Sequence, residues 1–552
     1  MKKFLLFFLI LGFNPAIYSQ VVNVTADITT NTTWTANNTY LLDGLIFVDS
    51  SATLFIEAGT VIKGKLQANI TTGDGCAALI VRRGGKINAI GTAQSPIIFT
   101  SELDDVNNPN DLGRDDNELW GGVILLGRAT TNQPTTENQI EGIPTTENAR
   151  YGGNDDSDNS GTMKFVSIRH GGFSISGIPG DEINGLTLGA VGSGTVLDHI
   201  EVFANFDDGI ELFGGTVDIK YFVSAFNFDD AIDWDQGWRG RGQFWFVIQG
   251  DNEAGRGGEL DGGDDCETCT PFSIPLLSNL TLIGAGANTS GLGGDGNDRA
   301  LYFRDNSGGK IWNSIITDFV GSTSGITVED LASGEDSRAR LEAGQLLLQN
   351  NYWWGFANGN TLSSIATQSF VQTHLSSNQN FIADPQLRGI SRQPNLGLDP
   401  RPAVGAPTTS GAIAPPDAWF KVVQYFGAFD PTDGIWTQGW TALSSLGFTP
   451  QTIVGVEERQ ISELPGEFIL SQNYPNPFNP STKIVYSVAQ PTNVKLVVTN
   501  LLGQVVEVLV NEFKQAGSYE IDFNSGDLSS GLYIYTLEAG GLKMSRKMVL
   551  MK

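Results

Sequence analysis

Cysteine, histidine and long apolar stretches are all scarce in this chain of 552 residues, which has three cysteines, three histidines and, as its longest apolar run, Phe4–Phe13. So few cysteines, and an odd number, exclude a disulfide-dense scaffold. His170, His199 and His374 stand in no Ser/His/Asp or histidine-ligand pattern, which removes the usual hydrolase triad and histidine-rich metal centres. A spanning helix needs about 20 apolar residues, so no transmembrane segment is expected in the mature chain. Basic residues are also short: 33 Lys+Arg face 61 Asp+Glu, a formal net charge of −28. Such a surface repels phosphate backbones and anionic lipid, excluding nucleic acid and peripheral membrane as partners. Haem motifs, phosphate-cradling loops and dinucleotide fingerprints are missing too.

The one apolar run follows Lys2 and Lys3, is broken by Pro15, and leads to a small residue, Ser19, before Gln20. Residues 1–19 are therefore predicted to be a cleaved signal peptide, and the remaining chain to be exported. Cys266-Glu-Thr-Cys269 reads as a local disulfide pinning an acidic loop; a redox pair and half a zinc site are the rival readings.

Glycine is abundant, 67 residues, and favours many short strands joined by tight turns. Short apolar runs with two-residue alternation, such as Thr53–Ile62, Ala78–Gly85, Trp120–Leu126, Met163–Ile168 and Gln243–Ile248, read as strands of four to eight residues and fit an all-β fold. The deciding feature is an echo. Asn205-Phe206-Asp207-Asp208-Gly209-Ile210-Glu211 returns 22 residues later as Asn227-Phe228-Asp229-Asp230-Ala231-Ile232-Asp233. One turn of a parallel β-helix has that length and stacks on the next at about 4.8 Å. A right-handed parallel β-helix is thus expected over residues 20–382, with acidic loop insertions at Ser101–Asn117, Asn148–Gly161 and Gly250–Pro271. Residues 383–453, interrupted by Asp399-Pro400-Arg401-Pro402 and rich in Trp, are expected to cap its C-terminal end. Residues 454–466 read as a linker and 467–552 as a separate small domain.

In that last domain Tyr474-Pro475-Asn476-Pro477-Phe478-Asn479-Pro480 is followed by Ile484-Val485-Tyr486, Val494–Val498, Asn500-Leu501-Leu502-Gly503 and Gly531-Leu532-Tyr533. The set closely resembles the type A sorting domain of the type IX secretion system. The resemblance implies a small β-sandwich read by the secretion machinery, and a bacterium of the Bacteroidetes–Ignavibacteria kind. It also implies delivery of the preceding domain across both membranes to the cell surface or the surroundings. The body, through Gly59–Gly64, Trp120-Gly121-Gly122 and Glu182–Leu188, resembles uncharacterised right-handed β-helix surface proteins that precede such domains. That resemblance implies a fold and no activity.

Stacking the two echoes sets Asp207 against Asp229, Asp208 against Asp230 and Glu211 against Asp233. Like charges about 5 Å apart need a proton or a cation between them. Ca²⁺ suits such oxygen ligands, making Asp207, Asp208, Glu211, Asp229, Asp230 and Asp233 candidate metal ligands. A proton would instead make Asp207, Asp208, Asp229 and Asp230 candidate catalytic groups. Asn205–Gly209 resembles part of a polygalacturonase site, but the Gly-His-Gly and Arg-Ile-Lys elements of those enzymes are lacking. Trp234 and Trp238, with Trp245, are candidate platforms for sugar rings, or core residues. Asp295, Asp298 and Asp305 lie in a turn-rich segment where Ca²⁺ or plain turn chemistry would explain them. Arg239 and Arg241 are expected in ion pairs. The expected function is binding of glycans or matrix polymers. A polysaccharide lyase or hydrolase, or a structural surface coat, are the alternatives.

Overall fold

A computed structural model describes residues 20–175, 182–263, 266–293, 295–450, 458–462, 468–501, 505–514, 516–525 and 528–551. The predicted signal peptide lies outside them. The body is a right-handed parallel β-helix of three stacked sheets, as the 22-residue echo requires. Sheet I runs from Thr32–Trp34 through Thr53–Ile56 to Leu346–Gln349, and sheet II from Gln20–Val24 through Asn38–Leu42 to Phe381–Ile382. Four long strands, Gly161–Arg169, Val196–Phe203, Asp218–Ala225 and Arg241–Ile248, belong to both sheets. Sheet III holds nine strands, from Leu45–Val48 to Ile326–Val328. The echoed motifs turn the chain from sheet II into sheet III, and Asn205 N–H donates to the Asn227 side chain of the next coil at 2.9 Å.

Where sheet I bends into sheet II, one residue per coil takes left-handed backbone angles and drops out of the ladder. These residues are Phe165, His199, Tyr221 and Phe244, then Asn279, Asn313 and Asn350, with φ between 49° and 60°. Asparagine accepts this conformation more readily than most residues. The aromatic ones recover its cost by stacking: ring centroids are 4.3 Å apart for Phe165–His199 and His199–Tyr221, and 5.0 Å for Tyr221–Phe244. Inside the coils Leu54, Ile200, Leu212, Trp234, Trp245 and Phe303 build one continuous core.

The segment expected to cap the solenoid lies elsewhere. Parts of 383–453 run back along the bend between sheets I and II. Asn350 donates to Gly411 O (3.1 Å), Asn313 to Ile413 O (2.8 Å) and Asn279 to Tyr425 O (2.9 Å). Gln243 exchanges two hydrogen bonds with the Lys421 backbone, Lys220 donates to Trp419 O, and Glu201 accepts the Ala442 N–H. Trp440 closes edge-on over Phe165 and His199. The physical reason is that left-handed asparagines present amides that a passing backbone can satisfy on both sides.

The end itself is closed by residues read as body. Helices Leu362–Ile365 and Ser369–Ser377 bury Ile365, Val371 and Leu375 against the last coils. Gln368 accepts from Val328 N–H and donates to Val328 O, His374 accepts the Leu348 N–H, and Asn380 donates to Leu348 O. These contacts satisfy the strand edges that an open end would leave unpaired.

A second compact unit contains the C-terminal domain. Two four-stranded antiparallel sheets enclose Ile484, Tyr486, Leu496, Ile521, Phe523, Tyr535 and Leu537, a small sandwich. The predicted linker is partly structural: Glu458–Ser462 pairs antiparallel with Gly517–Asn524 as an edge strand, and its flanking residues lie outside those described. An apolar-poor stretch such as Glu458-Arg459-Gln460 resembles a linker in composition because an edge strand has little to bury.

Asn313→Ala should lower stability by about 3 kcal/mol, since the Ile413 N–H and C=O lose their partners and alanine must hold φ 54°. Denaturant unfolding and limited proteolysis within 405–428 read it out, and wild-type resistance would mean that the flank segment is held by other contacts.

Candidate functional site

Sheet III changes character along its outer face. Over the early coils Ile80 and Ile124 are covered by Ile140, Ile143, Ala149 and Tyr151 from an insertion. Further on, strands Ile210–Phe213, Asp233–Asp235, Glu259–Leu260 and Leu301–Phe303 follow one another. Register sets Glu211 opposite Asp233, Asp233 opposite Glu259, and Glu259 opposite Tyr302. The residues between them, Leu212, Trp234 and Leu260, point into the core. A second outward position carries Phe213 and Asp235, and Asp261 and Arg304 follow one residue after Leu260 and Phe303. One face therefore bears a column of carboxylates that ends on a tyrosine and arginines.

The echoed corners add Asp207, Asp208, Asp229 and Asp230. Two of these maintain the fold: the Asp208 carboxylate accepts the Asp230 N–H at 2.9 Å, and Asp230 in turn accepts the Arg256 N–H. The other two are half-buried beside the stacked Phe206 and Phe228 rings, 4.7 Å apart. One oxygen from each of Asp207, Asp208 and Asp229 lies within 4.8 Å of the others, and the same holds for Asp229, Asp230 and Asp295. Asp229 is common to both groups. Oxygen-only donors at this spacing, with a further buried oxygen, Asp233 Oδ1, that has no hydrogen-bond partner among the described residues, suit a hard cation such as Ca²⁺.

Cations of the chain itself gather at the far end. Arg256 approaches Glu259 (2.6 Å), Asp295 (2.6 Å), Asp298 (3.4 Å) and Asp230 (3.6 Å), while Arg304 reaches Glu259 (3.0 Å) and Asp261 (2.7 Å). Arg256, Arg299 and Arg304 surround the Tyr302 ring at 5.3, 4.5 and 5.9 Å. Among the described residues no cation pairs with Asp207 or Glu211; Glu211 is buried and accepts a hydrogen bond from the Asn184 side chain. Burial, then the charge of Asp229, pushes Asp207 up to about 8. Burial with Asp295 and Glu259 pushes Asp229 up to about 6, against the pull of Arg256. Asp208, Glu211, Asp230, Asp233 and Asp261 are raised well above the carboxylate range, in each case chiefly by loss of water. Near neutrality such a face holds both acid and base forms.

The sequence pairing of Asp207 with Asp229, Asp208 with Asp230 and Glu211 with Asp233 is thus realised in space. The tryptophans are a correction: Trp234 and Trp238 are 1% and 0% exposed inside the solenoid, because Trp234 falls on the inward phase of its strand. They stack on no ligand. Arg239 pairs with Asp156, and Arg241 with Asp218 and Asp417. Asp298 meets Arg299 and Asp305 lies 3.5 Å from Arg304. Cys266 and Cys269 are joined by a disulfide. Sequence reading missed Glu259, Asp261, Tyr302, Arg256 and Arg304. Their signal is the alternation Glu211-Leu-Phe, Asp233-Trp-Asp, Glu259-Leu-Asp, Tyr302-Phe-Arg, hidden by insertions that stretch the repeat.

Residues 26–385 match the family described as a pectate-lyase-like β-helix domain. The chain belongs to that family. Residues 472–551 match a secretion system C-terminal sorting domain, in agreement with the type IX resemblance, and direct this pectate-lyase-like protein to the cell surface or extracellular space through the secretion machinery. Among the described residues no helix is long and apolar enough to cross a membrane. No curated protein matches the chain. Two solved structures align with it, the enzymatically active domain of tailspike protein 2 from bacteriophage CBA120 and the full-length tailspike protein 2. The alignments cover 93% and 92% of this chain and 72% and 64% of theirs, at 10% and 9% identity. Their TM-scores of 0.22 carry no argument about this β-helix.

Between the unfolded carboxylate value near 4 and the raised values of about 6 and about 8, the folded chain keeps protons that the unfolded chain releases. Stability without divalent cations should therefore fall as pH rises from about 5 to 8 and Asp229 and then Asp207 lose their protons. Thermal unfolding across that range checks it; Asp207→Asn should flatten the slope, and a wild-type profile with no slope would mean that these carboxylates are ionised throughout.

Proposed function

We propose that this exported β-helix binds polysaccharide along the acidic outer face of sheet III. The observation that carries this reading is the register-aligned column Glu211, Asp233 and Glu259, closed by Tyr302. Carboxyl groups repeating at about 4.8 Å offer hydroxyl partners at nearly the rise of a sugar unit along an extended chain, and an uncharged glycan brings no like charge to this face. Tyr302 and the half-buried Phe206 and Phe228 supply the apolar contact that pyranose rings accept. In this reading Ca²⁺ held by Asp207, Asp208 and Asp229 balances the charge at the corner. Its loss to a chelator should lower the melting temperature at pH 8 and leave it unchanged in an Asp207→Asn, Asp229→Asn double variant.

A second reading is favoured by one observation, that Asp207 and Asp229 bring carboxylate oxygens within 4.8 Å of each other, in surroundings that push Asp207 (about 8) up further than Asp229 (about 6). At neutral pH one carboxyl would be protonated and its neighbour ionised, the arrangement glycoside hydrolysis uses. Asp207 would protonate the leaving oxygen and Asp229 would serve as base. Arg256, engaged by four carboxylates, is a poor free base for a lyase.

Affinity electrophoresis of the mature chain in neutral and uronate polysaccharides, with reducing-end assays on the same samples, tests both. Glu211→Gln with Asp233→Asn should weaken neutral-glycan binding at least about tenfold, as expected for loss of two carboxyl–hydroxyl hydrogen bonds, with the fold retained. Undiminished binding would sink the first reading. Sugar release that disappears in Asp207→Asn would establish the second.

A further inference from the structure

The two ends of the solenoid are finished differently. Helices and side chains close the last coil, whereas the first is open. Among the described residues strand Gln20–Val24 pairs only with Asn38–Leu42, and Thr32–Trp34 only with Thr53–Ile56. Ile28 makes a single bridge to Val48. Val24 O accepts the Asp43 N–H at 2.9 Å, so Gln20, Val22 and Val24 direct their backbone groups into the ladder. Successive residues of a paired strand direct these groups to opposite edges. Val21 and Asn23 therefore aim theirs at the open one.

Side chains alternate as well. Val22 and Val24 pack against the interior yet are only half-buried, since no further coil lies over them, while Val21 faces outward and is 57% exposed. Over sheet I the interior is finished by buried Trp34, stacked on Tyr40 at 4.7 Å, so the open part of the core lies at the two valines. Proteins blunt exposed strand edges with charge, proline, bulges or a covering helix. Here the pairing with Asn38–Leu42 has no bulge, residues 20–42 hold no proline, and their one charge is Asp27. Its carboxylate already accepts the Phe47 N–H at 3.1 Å. On a chain of net charge −28, such an end is a surface where a second, equally acidic copy meets little repulsion.

We infer that two copies of this chain associate through their first coils, strand Gln20–Val24 of one pairing antiparallel with that of the other about a two-fold axis at Val22. Two ends that meet head to head run their strands in opposite senses. The outward residues lie symmetrically about Val22, so the strand is its own complement. Val21 exchanges both backbone hydrogen bonds with Asn23 of the second copy, Asn23 does so with Val21, and the two Val22 side chains cover each other. The helices that close the last coil block head-to-tail stacking, which stops assembly at two copies. The inference is independent of the acidic face of sheet III.

Sedimentation velocity of the mature chain, residues 20–552, should show a concentration-dependent species of twice the monomer mass and none larger. Asn23→Pro deletes an outward N–H and leaves the ladder to Asn38–Leu42 intact, a place where an edge strand accepts proline. It should weaken association at least about tenfold, as two hydrogen bonds are lost, with an unchanged circular dichroism spectrum. Facing Val22 residues at a position without hydrogen bonds bring their Cα atoms to about 4.5 Å, within reach of a disulfide. Val22→Cys should therefore cross-link two copies on mild oxidation, whereas Val24→Cys, opposite Gln20, should not. A monomer at every concentration, undiminished association in Asn23→Pro, or Val24→Cys cross-linking as readily as Val22→Cys would each overturn the inference.

Discussion

Parallel pairing sets every residue of one coil about 4.8 Å from its equivalent in the next, so each column of side chains must tolerate its own repetition. Apolar columns do so by packing, and form the interior. Aromatic and asparagine columns do so at the bend between sheets I and II, through ring stacking and side-chain amides. Carboxylate columns cannot do so unaided, because burial and mutual repulsion act in the same direction. The Glu211, Asp233, Glu259 column and the Asp207, Asp229 pair are places where this fold concentrates unfavourable charge. Energy stored in that way persists where a proton, a cation or a ligand offsets it.

The same repetition creates two structural needs that the chain meets differently. The bend leaves a row of amides and ring edges along one flank, and the segment containing Ile413, Lys421 and Tyr425 satisfies them coil by coil. The last coil leaves strand edges, and single side chains, Gln368, His374 and Asn380, satisfy those. The flank is held largely by hydrogen bonds and the end by two short helices that bury Ile365, Val371 and Leu375, so neither is conspicuous as a hydrophobic pattern. A proline-broken, tryptophan-bearing stretch looks like an end cap in composition. In space it serves as a lengthwise cover.

Charge is arranged with equal economy. Most arginines are tied to carboxylates on neighbouring coils, as Arg239 and Arg241 are. Arg256 and Arg304 mark where the acidic face stops, and Tyr302 sits among them. At the early coils, where the outer face of sheet III is apolar and roofed by an insertion, Arg82, Arg83, Arg128 and Arg150 gather instead.

The β-helix, the sorting domain and the pairing of Asp207 with Asp229 were legible because they depend on local repetition and on contiguous motifs. An echo of 22 residues is itself a spatial statement once strands stack in parallel. What lay beyond the sequence depended on phase and on insertions. Trp234 and Glu211 occupy neighbouring columns, yet one is core and the other site, and only the strand's inward or outward phase separates them. Glu259 and Tyr302 complete the carboxylate column but sit 26 and 69 residues from Asp233, since loops of unequal length interrupt the repeat. By itself the sequence determined the fold class, the export route and the existence of stacked acids. Tertiary structure alone decided which of those acids are tied to backbone, which face outward and where the cations meet them, because those outcomes depend on contacts between coils that no spacing along the chain records.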